Sequence, residues 1–284
     1  MHPFRRHGKS NVWAHSDRRV RRPSDYNSVA GMLKLATWNV NGIRARENQV
    51  HDWLQAERPD LVCLQEIKAG TDQVPASLLN LEDYWSRWHG AGGYSGVALL
   101  VARSLSAGEP RFFHPPFDVE TRAVAAQVGP LTVASLYVPN GGKDYPAKLR
   151  FLDALIDYVG AAHAAGGRLL LCGDLNVTRS DLDVHPKERK PRAIGQLPDE
   201  RERVERLLGR GLTDVARRLA PDDDQLFTWW APWRNLRQRN IGWRIDYVLT
   251  SGSVGERATS CEIRREVGTS DHAPVVATFA LDLG

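Results

Sequence analysis

The sequence predicts a layered α/β fold in which two β-sheets pack face to face with helices outside them. Two observations predict it. From residue 33 on, short apolar, β-branched runs recur in clusters, each bounded by Gly, Pro or charged turns. Between the clusters stand longer stretches whose apolar residues fall at helical spacing. A chain of 284 residues can bury a substantial core. Its 42% apolar and 25% charged content is that of an ordinary globular protein. No internal repeat interrupts this reading.

The elements follow in order. LKLATW (33–38) reads as a strand and 45–56 as an amphipathic helix. LVCLQ (61–65) is a buried strand, and 84–89, 96–102, 123–128 and 131–138 are further strands. Residues 146–164 form a long helix, and RLLLCGD (168–174) is a buried strand running into a loop. Residues 198–209 and 213–220 read as helices, and 244–250, 258–264 and 273–279 as the last strands.

The chemistry lies where these strands end. Asn39 and Asn41 follow the first strand, and Glu66 follows LVCLQ. Tyr137 and Asn140 close SLYVPN, and Asp174 and Asn176 close LCGDLN. Asp246 is embedded in RIDYV, and Asp271 and His272 precede the last strand. One Asn or Asp at a strand end is ordinarily a turn former. Six such segments across more than 230 residues are expected to converge on one pocket of hard oxygen donors. That donor set suits Mg²⁺, whereas the lack of Cys/His clusters argues against zinc.

At these residues the sequence resembles the exonuclease III family of abasic-site endonucleases, within the endonuclease/exonuclease/phosphatase superfamily. The matching segments are ATWNVNGIRAR, LVCLQEIK, SLYVPNGG, LLLCGDLNVTRSDLDVHPKERKP, FTWWAPWRNLRQRNIGWRIDYVLTS and TSDHAPV, in the family order over 33–279. The resemblance implies a four-layered α/β sandwich, DNase I-like, with the active site at one edge of two mixed sheets. It implies Mg²⁺ (with Mn²⁺ as a substitute) held chiefly by Glu66, with Asn39 and Asp271 nearby, Asp174 and Asn176 within reach, and Asn41 secondary. Some members carry an acid at the Asn41 position, so its metal contact is expected to be weaker or water-mediated. Asp174 is similar to the residue that positions or activates the attacking water, and Asn176 to its partner at the phosphate. His272, oriented by Asp246, is similar to the group that contacts the scissile phosphate, with Tyr137 and Asn140 as further phosphate contacts. DNase I-like nucleases and sphingomyelinases carry a second histidine where this chain has Tyr137, which favours the exonuclease III branch.

The resemblance further implies duplex DNA with abasic sites or blocked 3′ ends as substrate, incision 5′ to the abasic site, and 3′→5′ exonuclease and 3′-phosphatase activities. The segment 227–244 holds Trp229, Trp230, Trp233 and Trp243 among Arg234, Arg237, Arg239 and Arg244. Interleaved aromatics and arginines suit stacking and phosphate contacts. By resemblance, Trp230 helps wall a pocket for an extruded baseless sugar, and Trp233 stands where family members insert a side chain into the duplex. Asn235, Arg237, Trp243 and Lys143 are the other expected substrate contacts, and 179–192 is a second basic patch. Two alternatives remain: a phosphodiesterase acting on a lipid or small-molecule phosphate, and a non-catalytic DNA-binding module.

The net charge of +4 does not bear on this. Residues 1–30 carry seven Lys/Arg against Asp17 and Asp25, which leaves the remainder near neutral. Residues 1–31 read as a disordered tail, either a basic arm for DNA or a non-functional leader ahead of a start at Met32; 32–284 read as a single catalytic domain. Cys63, Cys172 and Cys261 are odd in number and widely spaced, and read as free core thiols. With no long apolar run and no apolar segment behind the N-terminal charges, the expected setting is the bacterial cytoplasm, at the nucleoid, as a monomer.

Overall fold

The computed structural model describes Met1 and residues 31–283. The basic segment expected to be a tail lies, except for its two ends, outside the described residues. Two six-stranded mixed sheets pack together. The first runs from β1 (Leu33–Asn39) to β2 (Leu61–Gln65), β3 (Tyr84–His89) and β4 (Val97–Ala102), and gains β11 (Ala258–Ile263) and β12 (Val275–Phe279) from the chain's end; its order is β11-β12-β1-β2-β4-β3. The second comprises β5 (Arg111–Phe113), β6 (Ala123–Val128), β7 (Leu131–Tyr137), β8 (Arg168–Asp174), β9 (Leu212–Asp214) and β10 (Asp246–Ser251), in the order β5-β6-β7-β8-β10-β9.

Each sheet has one parallel pair at its centre, joined by a helix. α1 (Glu47–Glu57) connects β1 to β2, and α3 (Tyr145–Ala164) connects β7 to β8. α1 buries Val50, Trp53 and Leu54 and stops at Arg58, which turns left-handed at φ 49°. α3 starts where the Asp144 carboxylate accepts the Ala147 N–H, with Pro146 in its first turn. Its stripe Phe151, Leu152, Leu155, Ile156 and Val159 is buried against the second sheet. Full burial of such side chains contributes about 1.5–3 kcal/mol each.

Leu35, Cys63, Leu99, Val133, Cys172 and Val248 fill the space between the sheets. The outer faces are covered by α1 with α2 (Ala76–Leu79) and by α3 with α4 (Pro198–Leu208). The result is the expected four-layered sandwich. All three cysteines are free, and Cys63 and Cys172 are buried. No helix among the described residues is long and apolar enough to cross a membrane.

Several expected boundaries move. The helix at 45–56 is preceded by a 3₁₀ turn, Ile43–Arg46. The helix at 213–220 shrinks to α5 (Val215–Leu219), because Leu212–Asp214 pairs with β10 as an edge strand. The strand expected from 244 starts at Asp246, because Arg244 is committed to a buried ion network. The short elements β5, α2 and α6 (Gly252–Gly255) carry too few residues for a periodic signal.

Candidate active site

The carboxyl ends of the two parallel pairs meet. In register, Asn39 lies beside Gln65, and Tyr137, Asp174 and Asp246 lie side by side. Gly173 makes this possible: at φ 146° a Cβ there would stand 1.9 Å from the Leu136 carbonyl oxygen, so only glycine lets β8 bring Asp174 so close to β7.

Asn39 joins the sheets. Its amide donates to Glu66 Oε1 (3.1 Å) and to Asp174 Oδ2 (2.9 Å). Tyr137 donates its hydroxyl proton to the same Glu66 oxygen (2.7 Å), and Lys68 Nζ lies 2.7 Å from Glu66 Oε2. Burial alone would raise the Glu66 carboxyl pKa, but Lys68, with His272 and Asn39, outweighs it and holds the group below the usual range. Burial and the neighbouring carboxylates push the Tyr137 phenol up, so it stays protonated.

Asp174 accepts from the Asn176 backbone N–H (2.8 Å) and side-chain amide (3.2 Å). Asn176 sits left-handed at φ 53° and donates also to the Val138 carbonyl (2.9 Å). Desolvation, opposed by His272 and reinforced by Asp246 and Glu66, pushes the Asp174 carboxyl up to about 8. His272 Nδ1 is 2.8 Å from Asp246 Oδ2, which also accepts from the Thr228 hydroxyl (2.6 Å). Burial disfavours the imidazolium, but Asp246, Asp174 and Asp271 together push His272 up to about 10. With Nδ1 engaged, Nε2 is left 3.9 Å from Asp174 Oδ2. Asp271 accepts from the Asn41 amide (2.8 Å) and the Trp229 indole (3.0 Å).

Glu66, Asp174 and His272 place donor atoms within 4.8 Å of one another, a group that can hold a metal ion. Glu66 and His272 border a cleft of about 370 Å³ lined also by Asn140, Asn176, Asp271, Trp229, Trp243 and Ile245, with Asp174 buried behind it. Asn41 stands one layer back, its oxygen taken by Lys68 (2.6 Å).

The Trp/Arg segment divides. Trp230 does not wall this cleft: it is 1% exposed and packs with Phe227, Leu236 and Ile241. Trp229 lies there instead, edge-on to Trp243 at 5.2 Å. Gly242 permits this, since a Cβ would stand 2.3 Å from the Trp229 carbonyl oxygen. Arg244 and Arg237 are not free for phosphate. Arg244 is buried against Asp183 and Asp214, and Arg237 donates to the backbone carbonyls of Arg265, Val267 and Ser270, pinning the loop before Asp271. Trp233 is 60% exposed beside Arg234 and Asn235, in a neighbouring hollow of about 380 Å³. Lys143 is exposed in a groove on the far side of Asn140, outside the cleft. In the second basic patch Arg179 is paired with Glu205, whereas Lys187, Arg189, Lys190 and Arg192 are exposed.

Two residues escaped sequence reasoning. Lys68 is only two positions past Glu66, and both turn left-handed (φ 51° and 49°), folding the ammonium back on the carboxylate. A lysine two residues after the strand-end acid was the available signal. Arg122 is buried with its guanidinium 4.8 Å from the Tyr137 ring centroid, and its carbonyl accepts the Tyr137 N–H; nothing local marks it.

Residues 36–272 match the endonuclease/exonuclease/phosphatase family. An exodeoxyribonuclease of Bacillus subtilis is 34% identical over 253 residues, 86% of this chain and 98% of its own length. An AP endonuclease from Archaeoglobus fulgidus superposes with TM-score 0.78 at 28% identity, covering 87% of this chain and 99% of that one. A 3′ phosphatase, NExo, from Neisseria bound to a product DNA hairpin gives TM-score 0.79 at 31% identity with the same coverage. Fold, strand-end residues and family match coincide over the same span, and the chain belongs to the endonuclease/exonuclease/phosphatase family.

Proposed function

We propose that this chain hydrolyses the DNA backbone on the 5′ side of abasic sites in a Mg²⁺-dependent reaction that leaves a 3′-hydroxyl. The same centre would remove 3′-phosphates and 3′-terminal nucleotides. The chain is a DNA-repair phosphodiesterase, and its relatives are named exodeoxyribonuclease, AP endonuclease and 3′ phosphatase. One observation carries the finer reading: the carboxylate, amide and imidazole cluster shares a single cleft with the apolar wall Trp229, Trp243 and Ile245. A baseless sugar flipped from the stack can enter such a wall at little unstacking cost, while the cluster faces its phosphate. Nothing comparable favours a lipid or small-molecule phosphate.

The residues fit a divalent cation. Glu66, Asp174, Asp246 and Asp271 crowd together against one lysine and one imidazole. Fully ionised, the group carries a net charge of −2, which a divalent ion neutralises. Oxygen donors dominate, as Mg²⁺ requires, with Glu66, Asn39 and Asp271 as the holding groups and Mn²⁺ a substitute. When bound, Mg²⁺ supplies charge neutralisation at the phosphoryl oxygens and the leaving 3′ oxygen.

The chain's own groups do the rest. Asp174, held by Asn39 and Asn176, orients the attacking water in line with the phosphorus. His272, cationic at neutral pH, donates from Nε2 to a phosphoryl oxygen while Asp246 holds its ring through Nδ1. Tyr137, kept protonated, holds Glu66 in place.

A gel assay comparing abasic duplex, intact blunt duplex and 3′-phosphate ends tests this. The abasic strand is expected to be nicked in Mg²⁺ or Mn²⁺ and left whole in EDTA; an abasic duplex left intact in both metals would refute the reading. Trp233→Ala is expected to weaken binding to abasic duplex about tenfold, given base–aromatic stacking of roughly 1–3 kcal/mol. Its melting temperature is expected to stay unchanged, since the side chain is largely exposed. An equal Kd in a fluorescence-anisotropy titration would remove Trp233 from the interface.

A further inference from the structure

We propose that His89, His114 and Asp118 form a metal site, separate from the phosphodiester cleft, that takes a borderline transition ion such as Zn²⁺ and clamps the edges of the two sheets together. His89 is the last residue of β3, the outer strand of the first sheet. His114 follows β5, the outer strand of the second sheet. Asp118 lies in the turn between β5 and β6.

One donor atom from each lies within 4.8 Å of the other two. His89 Nε2 is 2.6 Å from Asp118 Oδ2, and His114 Nδ1 is 3.9 Å from the same oxygen. The two imidazoles lie with centroids 3.9 Å apart. A tetrahedral ion with bonds of about 2.0–2.1 Å holds its donors about 3.3 Å apart. Changes of roughly 0.7 Å bring both separations from Asp118 Oδ2 to that spacing.

The supporting groups are those a metal ligand needs. Asp118 Oδ1 accepts the backbone N–H groups of Arg122 (2.8 Å) and Ala123 (2.8 Å), which aims Oδ2 at the histidines. His114 Nδ1 has only a long approach to the Ala123 carbonyl (3.5 Å), so it is not committed to a strong hydrogen bond. The His114 side chain is 48% exposed, which gives an ion a path in and leaves room for a water as fourth ligand. Two imidazoles and one carboxylate select Zn²⁺, Co²⁺ or Ni²⁺ over Mg²⁺.

The site is linked to the cleft. The Arg122 whose N–H is held by Asp118 lies under the Tyr137 ring, and Tyr137 donates to Glu66. An ion at Asp118 thus braces the wall behind the strand-end cluster while sharing no ligand with it.

Equilibrium dialysis of the full chain against Zn²⁺, with Glu66→Ala and His114→Ala variants, tests the assignment. One Zn²⁺ equivalent is expected to survive Glu66→Ala and disappear in His114→Ala. At a hundredfold excess over Kd, Zn²⁺ is expected to raise the melting temperature by about 5 to 10 °C in wild type and Glu66→Ala but not in His114→Ala. His114→Gln, which preserves volume, replaces the alanine variant if that fails to fold. Zn²⁺ binding that is absent in wild type, unchanged by loss of His114, or lost with Glu66 would overturn the proposal and leave a hydrogen-bonded His–Asp pair tying the sheets.

Discussion

Asp174→Asn is expected to lower kcat on an abasic duplex by about three orders of magnitude while leaving the protein folded. The catalytic loss follows from the carboxylate's placement. Both its oxygens accept N–H groups, Oδ1 from the Asn176 backbone and Oδ2 from the Asn39 and Asn176 amides, so its remaining lone pairs are held in one direction. A positioned base or water-orienting group contributes typically 10²–10⁴-fold. An asparagine there puts an NH₂ against an N–H donor in either flip, and so loses the orientation as well as an oxygen that can take a proton. Folding survives because two terms of opposite sign compete. The donor–donor contact costs about 1–3 kcal/mol. Against it, the substitution removes a buried carboxyl whose charged form desolvation, Asp246 and Glu66 already disfavour. Single-turnover rates and thermal melts on the same preparation separate the effects. A loss below about tenfold would take Asp174 out of the catalytic group.

The sequence reading succeeded where the chemistry was local to one segment. An apolar strand that ends in Asn, Glu or Asp announces both the strand and the functional end, and Asn39, Glu66, Asp174 and His272 are brought together as those endings implied. It failed where facing or partnership was non-local. Trp229 and Trp230 are adjacent, and a one-residue shift in an extended segment moves a side chain to the other face. Isolated bridges from Trp229 to Trp243 and to His272 decide which indole meets the cleft, and their partners lie 14 and 43 residues away. Arg237 and Arg244 read as phosphate contacts because their composition matched. Their actual partners are the backbone carbonyls of 265–270 and the carboxylates of Asp183 and Asp214. Short edge strands such as β5 and β9 exist through pairing with a neighbour rather than through their own pattern.

Arg244→Ala is expected to cost about 3–5 kcal/mol of stability and to lower the melting temperature by roughly 10 °C. Arg244 is 1% exposed and makes a fork to each of two buried carboxylates: Nε and Nη2 to Asp183 (2.7 and 3.2 Å), and Nη1 and Nη2 to Asp214 (3.0 and 2.8 Å). Removing it leaves Asp183 with the Arg217 guanidinium and the Ser180 N–H, and Asp214 with Arg179 at 3.8 Å and the Arg217 N–H. Lysine cannot reproduce the two-sided fork, so Arg244→Lys is expected to recover only part of the loss. The pH dependence has a definite sign. Burial raises the Asp183 carboxyl, but Arg244 and Arg217 outweigh it and hold it below the usual range. Stability from this pairing is therefore fully present above the unfolded-state value of about 3.9 and is lost as pH falls through the lower folded-state value. The gap between wild type and Arg244→Ala in urea melts should be full at pH 7 and shrink below about pH 4. The network also sets where β10 begins. Arg244 N–H donates to the Asp183 carbonyl (2.8 Å), and two residues later Asp246 holds the imidazole of His272. At a temperature where the variant is still folded, kcat should therefore fall too, by less than in Asp174→Asn, because the His272–Asp246 contact is loosened rather than removed. A melting temperature unchanged from wild type would mean that Asp183 and Asp214 find water or protons at no cost, and that the buried fork serves register alone.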